Sequence, residues 1–131
     1  LDMAVAERAA TAAAMATVAG RFHAALAAAA GARGIEVRRV VEAGSPHILT
    51  VSLAGIDRQA FVMAADLAGV CCSTGTACAS GSSEPAPALA AMGLPPTVVS
   101  SAVRFSFGRT TDEREVEEAA KRLARVLARW R

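Results

Sequence analysis

The chain of 131 residues reads as an α+β domain, a small and mainly antiparallel sheet covered by helices. Three observations predict this. Long segments at both ends carry apolar residues at helical spacing, and short β-branched or alternating runs lie between them. No repeat, low-complexity linker or charge block divides the sequence, so residues 1–131 read as a single domain. A chain of this length buries roughly two-thirds of its unfolded surface, enough for a core without disulfides or metal.

The elements follow in order. From Ala4 to about Ala30 an alanine-rich segment spaces Met15, Val18, Phe22 and Leu26 by three and four residues, one apolar stripe on a helix. Gly31 and Gly34 stop it. Ile35–Val41 and His47–Leu53 predict two strands joined across Gly44, Ser45 and Pro46 as an antiparallel hairpin. Asp57 caps a helix running to Leu67, and Gly69 closes it before a short strand, Val70–Ser73. A brief helix spans Glu84–Met92 with Pro85 in its first turn, ended by Gly93 and the pair Pro95 and Pro96. Ala102–Phe107 alternates as a strand, with Val103, Phe105 and Phe107 on one face and Arg104 and Ser106 on the other. The last helix begins at Thr110 or Thr111, where Thr110 and Glu113 fit a capping box. It buries Val116, Ala120, Leu123, Leu127 and Trp130 and leaves Glu113, Arg114, Glu117, Lys121, Arg122 and Arg125 in solvent.

Composition excludes several function classes. Much of the 53% hydrophobic content is alanine, which buries little area per residue, and the 4% aromatic content gives no base-stacking platform. The net charge of +2 arises from 14 basic and 12 acidic residues, many interleaved along the last helix, so nucleic acid is not the expected partner. No apolar run is read as long enough to cross a membrane, and the amino terminus lacks a basic region followed by an apolar secretory core; a cytoplasmic, reducing compartment is the expectation. Three cysteines, none in CxxC spacing, with His23 on a helix face and His47 where a strand begins, predict no metal site.

Chemistry concentrates in one place. Val70 to Gly81 reads VCCSTGTACASG, an apolar run opening into a loop of small residues around Cys78. Gly75, Ala77, Ala79, Ser80 and Gly81 leave its sulfur accessible, which suits a nucleophile, although no adjacent cation or imidazole activates it. A loop cysteine without a role is the alternative. Cys71 and Cys72 fall on strand positions, where burial is expected.

These residues carry a resemblance. GTACASGSSEPAPALAAMG followed by AVRFSFGRTTDEREVEEA closely resembles the end of a cysteine desulfurase of the group with the longer cysteine loop. Upstream, SPHILTVSLAGIDRQAFV resembles the family's Pro-Asn-Thr-Leu-type strand and following helix, with His47 where Asn is common. The resemblance implies a pyridoxal 5'-phosphate enzyme of the aminotransferase class V type, which takes sulfur from L-cysteine, leaves L-alanine and holds the sulfur as a protein persulfide. It places Cys78 at the nucleophile and Arg104 at the arginine that binds the substrate carboxylate, a task suited to a planar guanidinium. A surface strand residue is the alternative for Arg104. Arg109 is assigned to structure or a local ion pair, and Glu84 and Pro85 to the start of the following helix. The implied partners are a sulfur acceptor, either an iron-sulfur scaffold or a tRNA-thiolation enzyme, and a second copy in a homodimer.

The cofactor is not accommodated by this sequence. Pyridoxal phosphate needs a lysine, and Lys121, the single lysine among 13 arginines, lies about 140° around its helix from Val116, opposite the core stripe. The family carries its cofactor groups in a large preceding domain, and this chain begins at Leu1. The expectation is therefore a carboxy-terminal small domain that holds the sulfur-accepting cysteine and the carboxylate-binding arginine, binds no cofactor and is inactive alone. The alternative function is a stand-alone persulfide relay or protein-interaction module.

Overall fold

The computed structural model describes residues 2–75 and 86–130, with side chains from residue 7 onward. A helix α1 (Asp2–Gly31) precedes strands β1 (Val37–Arg39) and β2 (Ile48–Leu53). Helices α2 (Arg58–Leu67), α3 (Pro87–Ala91) and α4 (Pro96–Ser100) lead to β3 (Ala102–Ser106), and α5 (Glu113–Leu127) ends the order. The three strands form one antiparallel sheet, β1-β2-β3. The expected α+β architecture is thus the one observed.

The core lies between one face of the sheet and the long helices. Val18, Phe22, Leu26 and Ala30 of α1 meet Leu49, Val51, Val103 and Phe105 of the sheet and Val116, Leu123 and Leu127 of α5. The Phe22 ring lies 4.8 Å from Phe105 and 5.6 Å from Phe107, centroid to centroid, in tilted and edge-on arrangements that aromatic quadrupoles favour. Phe61 of α2 closes the far side against Trp130 at 6.1 Å. Outside the core, Arg21 and Glu113 tie α1 to α5 at 2.5 Å, an exposed pair that adds little stability.

Several expectations are corrected. The segment Glu7–Gly31 of α1, with mean hydropathy 1.2, is long and apolar enough to cross a membrane by composition, contrary to the reading that no run reaches that length. Alanine supplies most of that apolarity, and the stripe of larger residues packs into the core. The capping box of α5 belongs to Asp112 and Glu115 instead of Thr110 and Glu113. Asp112 Oδ1 accepts the Glu115 N–H at 2.8 Å, and Glu115 Oε2 accepts the Asp112 N–H at 3.1 Å. Thr111 Oγ1 is engaged one turn earlier, accepting the Gly108 N–H at 2.9 Å. The prolines that end α3 also begin α4, because Pro96 presets the φ of a first helical residue and Pro95 O accepts from Val98 and Val99 at 2.9 and 3.1 Å.

The predicted strand Val70–Ser73 is reduced to one bridging residue, Ser73. Gly69, at φ +76, folds the chain back on α2, and the Val70 N–H donates to Ala65 O at 2.9 Å, so it is committed to closing the helix. Cys71 is consequently exposed instead of buried, while Cys72 is half-buried against the core.

Candidate functional site

β3 is an outer strand, and the partner on its free edge among the described residues is Ser73. The Ser73 N–H donates to Arg104 O at 3.0 Å and the Arg104 N–H donates to Ser73 O at 2.7 Å. Two residues on, Gly75 turns at φ +92, a conformation that disfavours any side chain, and its N–H donates to Ser73 Oγ at 3.0 Å. A Cβ at Gly75 would stand 3.4 Å from that of Ala86, which is buried. The chain therefore passes Arg104, turns at Gly75, and is described again at Ala86, close beside that turn. Cys78, Glu84 and Pro85 lie outside the described residues.

Arg104 sits opposite Thr50 in register, on the sheet face turned away from Val103 and Phe105, as the alternation predicts. Its side chain is half-buried, and its Nε is fully buried without a hydrogen-bond partner among the described residues. An unmet buried donor costs about 1–3 kcal/mol. A guanidinium presents its N–H groups as a planar fork that a carboxylate satisfies with two bonds. The arrangement can bind a carboxylate from the side away from the core.

The remaining candidates divide as follows. Arg109 Nη1 lies 3.6 Å from Glu7 Oε2 of α1, an ion pair across the fold instead of a local one. Lys121 is exposed on α5. Its position does not suit a cofactor held as a Schiff base, which needs a lysine in a closed site, so the residues described here do not fit pyridoxal phosphate. His47 Nδ1 shares a hydrogen bond of 2.8 Å with Ser45 Oγ at the turn before β2. His23 is half-buried on α1; burial lowers its pKa, Arg39 adds to the lowering and Glu42 opposes it. Burial, reinforced by Cys71 and Asp66, pushes the Cys72 thiol up to about 12, so it stays protonated and unreactive. A cleft of about 600 Å³ lies between residues 69–71, the end of β3 and the first half of α5, but Arg104 is not among its walls. Sequence reasoning missed that Ser73 bridges to Arg104 and that Ala86 stands against Gly75, since neither residue type signals such a contact.

Comparison with known proteins decides the family. Residues 5–119 match the family described as aminotransferase class-V. The chain belongs to the aminotransferase class-V family. Within that family it is 38% identical over 91 residues to the cysteine desulfurase IscS of Edwardsiella ictaluri, 70% of this chain and 22% of that protein. It is 34% identical over 87 residues to a cysteine desulfurase of Enterobacter agglomerans, 66% of this chain and 22% of the relative. A solved NifS-like protein shares its fold, with TM-score 0.77 and 21% identity over 96% of this chain and 30% of the other. The expected likeness to cysteine desulfurases is thus found, and this class-V chain spans less than a quarter of these two curated relatives.

Proposed function

We propose that this chain supplies the sulfur-accepting and carboxylate-binding side of a cysteine desulfurase. In this reading the Cys78 thiolate receives the sulfur of L-cysteine as a persulfide and L-alanine is left, while Arg104 holds the substrate carboxylate by two charge-assisted hydrogen bonds. The persulfide then passes to an acceptor thiol, in iron-sulfur assembly or tRNA thiolation. The pyridoxal phosphate is held by a lysine-bearing domain of the same polypeptide, through which two copies pair, in the cytoplasm.

The observation that carries this reading is the unmet, buried Nε of Arg104 beside the base of the cysteine segment. A persulfide carrier has no need of an arginine Nε left buried without a partner at that place. Sequence supports the pairing, since Cys78 follows Gly75 by three residues.

The test is a titration of the chain with L-cysteine, L-alanine and cysteamine, followed at the Arg104 Nε–H resonance. The amino acids are expected to shift it at millimolar concentration and cysteamine, which lacks the carboxylate, to leave it in place. An equal response to cysteamine would overturn the clamp. In the same samples, added pyridoxal phosphate and L-cysteine are expected to yield no sulfide, and Cys78-dependent sulfide would show that the cofactor needs no further domain.

A further inference from the structure

Helix α2 buries Arg58, Phe61 and Ala65 along one stripe. Phe61 and Ala65 belong to the apolar core, whereas Arg58, 5% exposed, is the one buried charged side chain among the described residues. Burying a guanidinium costs several kcal/mol unless it is paired and hydrogen-bonded, so the groups around Arg58 matter to the fold.

Arg58 Nη1 reaches to 3.5 Å from Val99 O in the last turn of α4. Two residues on, Ser101 Oγ shares a 2.8 Å hydrogen bond with Ser52 Oγ, and the Leu53 N–H donates to Ser101 O at 3.1 Å. Arg58, Ser52 and Ser101 are the buried polar side chains of the described residues, and they converge on the corner where α4 becomes β3. Ala102 pairs there with Ser52, and Arg104 follows two residues later opposite Thr50. A slip of one residue would turn Arg104 to the core face, so the corner determines where its guanidinium stands.

We propose that Arg58 is a positioning residue, which pins the α4–β3 corner and thereby holds Arg104 in place for a substrate carboxylate. The inference rests on the carboxylate-binding reading of Arg104 given above. It is tested in the full chain by amide hydrogen exchange at Arg104, whose N–H is bonded to Ser73 O, against Leu123 in the core of α5. In Arg58→Met, exchange at Arg104 is expected to accelerate at least tenfold with Leu123 unchanged, and the Arg104 Nε–H response to L-alanine to weaken about tenfold. Arg58→Lys, which keeps charge but not the planar fork, is expected to give a smaller, still selective acceleration, and it decides the matter if Arg58→Met does not fold. Acceleration by the same factor at both amides, or at neither, would overturn positioning. An Arg104 resonance indifferent to carboxylates in the unsubstituted chain would instead sink the clamp reading, while the exchange ratio would still report on the corner.

Discussion

The seam between α1 and α5 and the outer edge of β3 are built on opposite terms. Along the seam, Leu26, Leu123 and Leu127 are completely enclosed and Phe22 meets two aromatic rings, so its side chains have their contacts in place. Along the edge, one residue makes a two-bond bridge, a glycine occupies the left-handed region, and a buried donor on Arg104 is unmet. The contrast teaches where to look for each property: stability follows closed contacts, and the capacity to bind follows groups held rigidly but left unsatisfied.

The largest effect should come from opening the seam. Phe22→Ala is expected to lower the unfolding free energy by about 3–5 kcal/mol in urea titrations, because it removes a buried ring and the contacts of two others. A loss below about 1 kcal/mol would break the comparison by showing that the seam does not carry the fold.

Cys72 packs against the core one residue before the Ser73 bridge, and its thiol is pushed up to about 12. Alkylation of Cys72 near pH 8 is expected to be about a thousandfold slower in the folded chain than in urea, since the thiolate is the reacting form. Mass mapping of the modified peptide measures it, and equal rates in the two states would place this thiol on the accessible side of the divide.

A smaller effect sits at the start of α5. Asp112→Ala is expected to cost about 1 kcal/mol through loss of the capping box, and Asp112→Ser to restore most of it. If Thr110→Ala were the more damaging change in the same thermal melts, the box would lie where the sequence first suggests.

The smallest concerns His23. Its folded pKa lies below the ordinary 6.5, chiefly through burial, so the unfolded chain takes up the proton first as pH falls. Its stabilising contribution is therefore complete above about pH 6.5 and is lost as pH falls through the folded value. His23→Leu is expected to flatten the decline of the urea midpoint between pH 7 and pH 5. A steeper decline in the variant would reverse the sign assigned here.

Much of this was legible in the sequence, for physical reasons that differ by element. The stripe of Val18, Phe22 and Leu26 and the alternation of Val103, Arg104 and Phe105 are periodic signals, and periodicity survives into structure because burial enforces it. Asp57 was readable as a cap because its side-chain acceptor is local, and Asp57 Oδ1 does accept the Ala60 N–H at 2.8 Å. What escaped depends on competition or on distance in sequence. Asp112 displaces Thr110 as cap because a carboxylate is available two residues on and Thr111 already closes a turn. Val70 does not pair with β3 because its N–H is claimed by Ala65 O. Of the candidate site, Arg104 and its face were readable; the Ser73 bridge and the burial of Arg58 were not, since contacts between residues tens of positions apart leave no local pattern.

The nearness of Gly75 and Ala86 separates two design problems. Gly75 and Ala86 stand side by side, so the distance between these two anchors does not depend on how many residues join them. Insertions or deletions between these anchors could thus be made while the sheet and Arg104 keep their register.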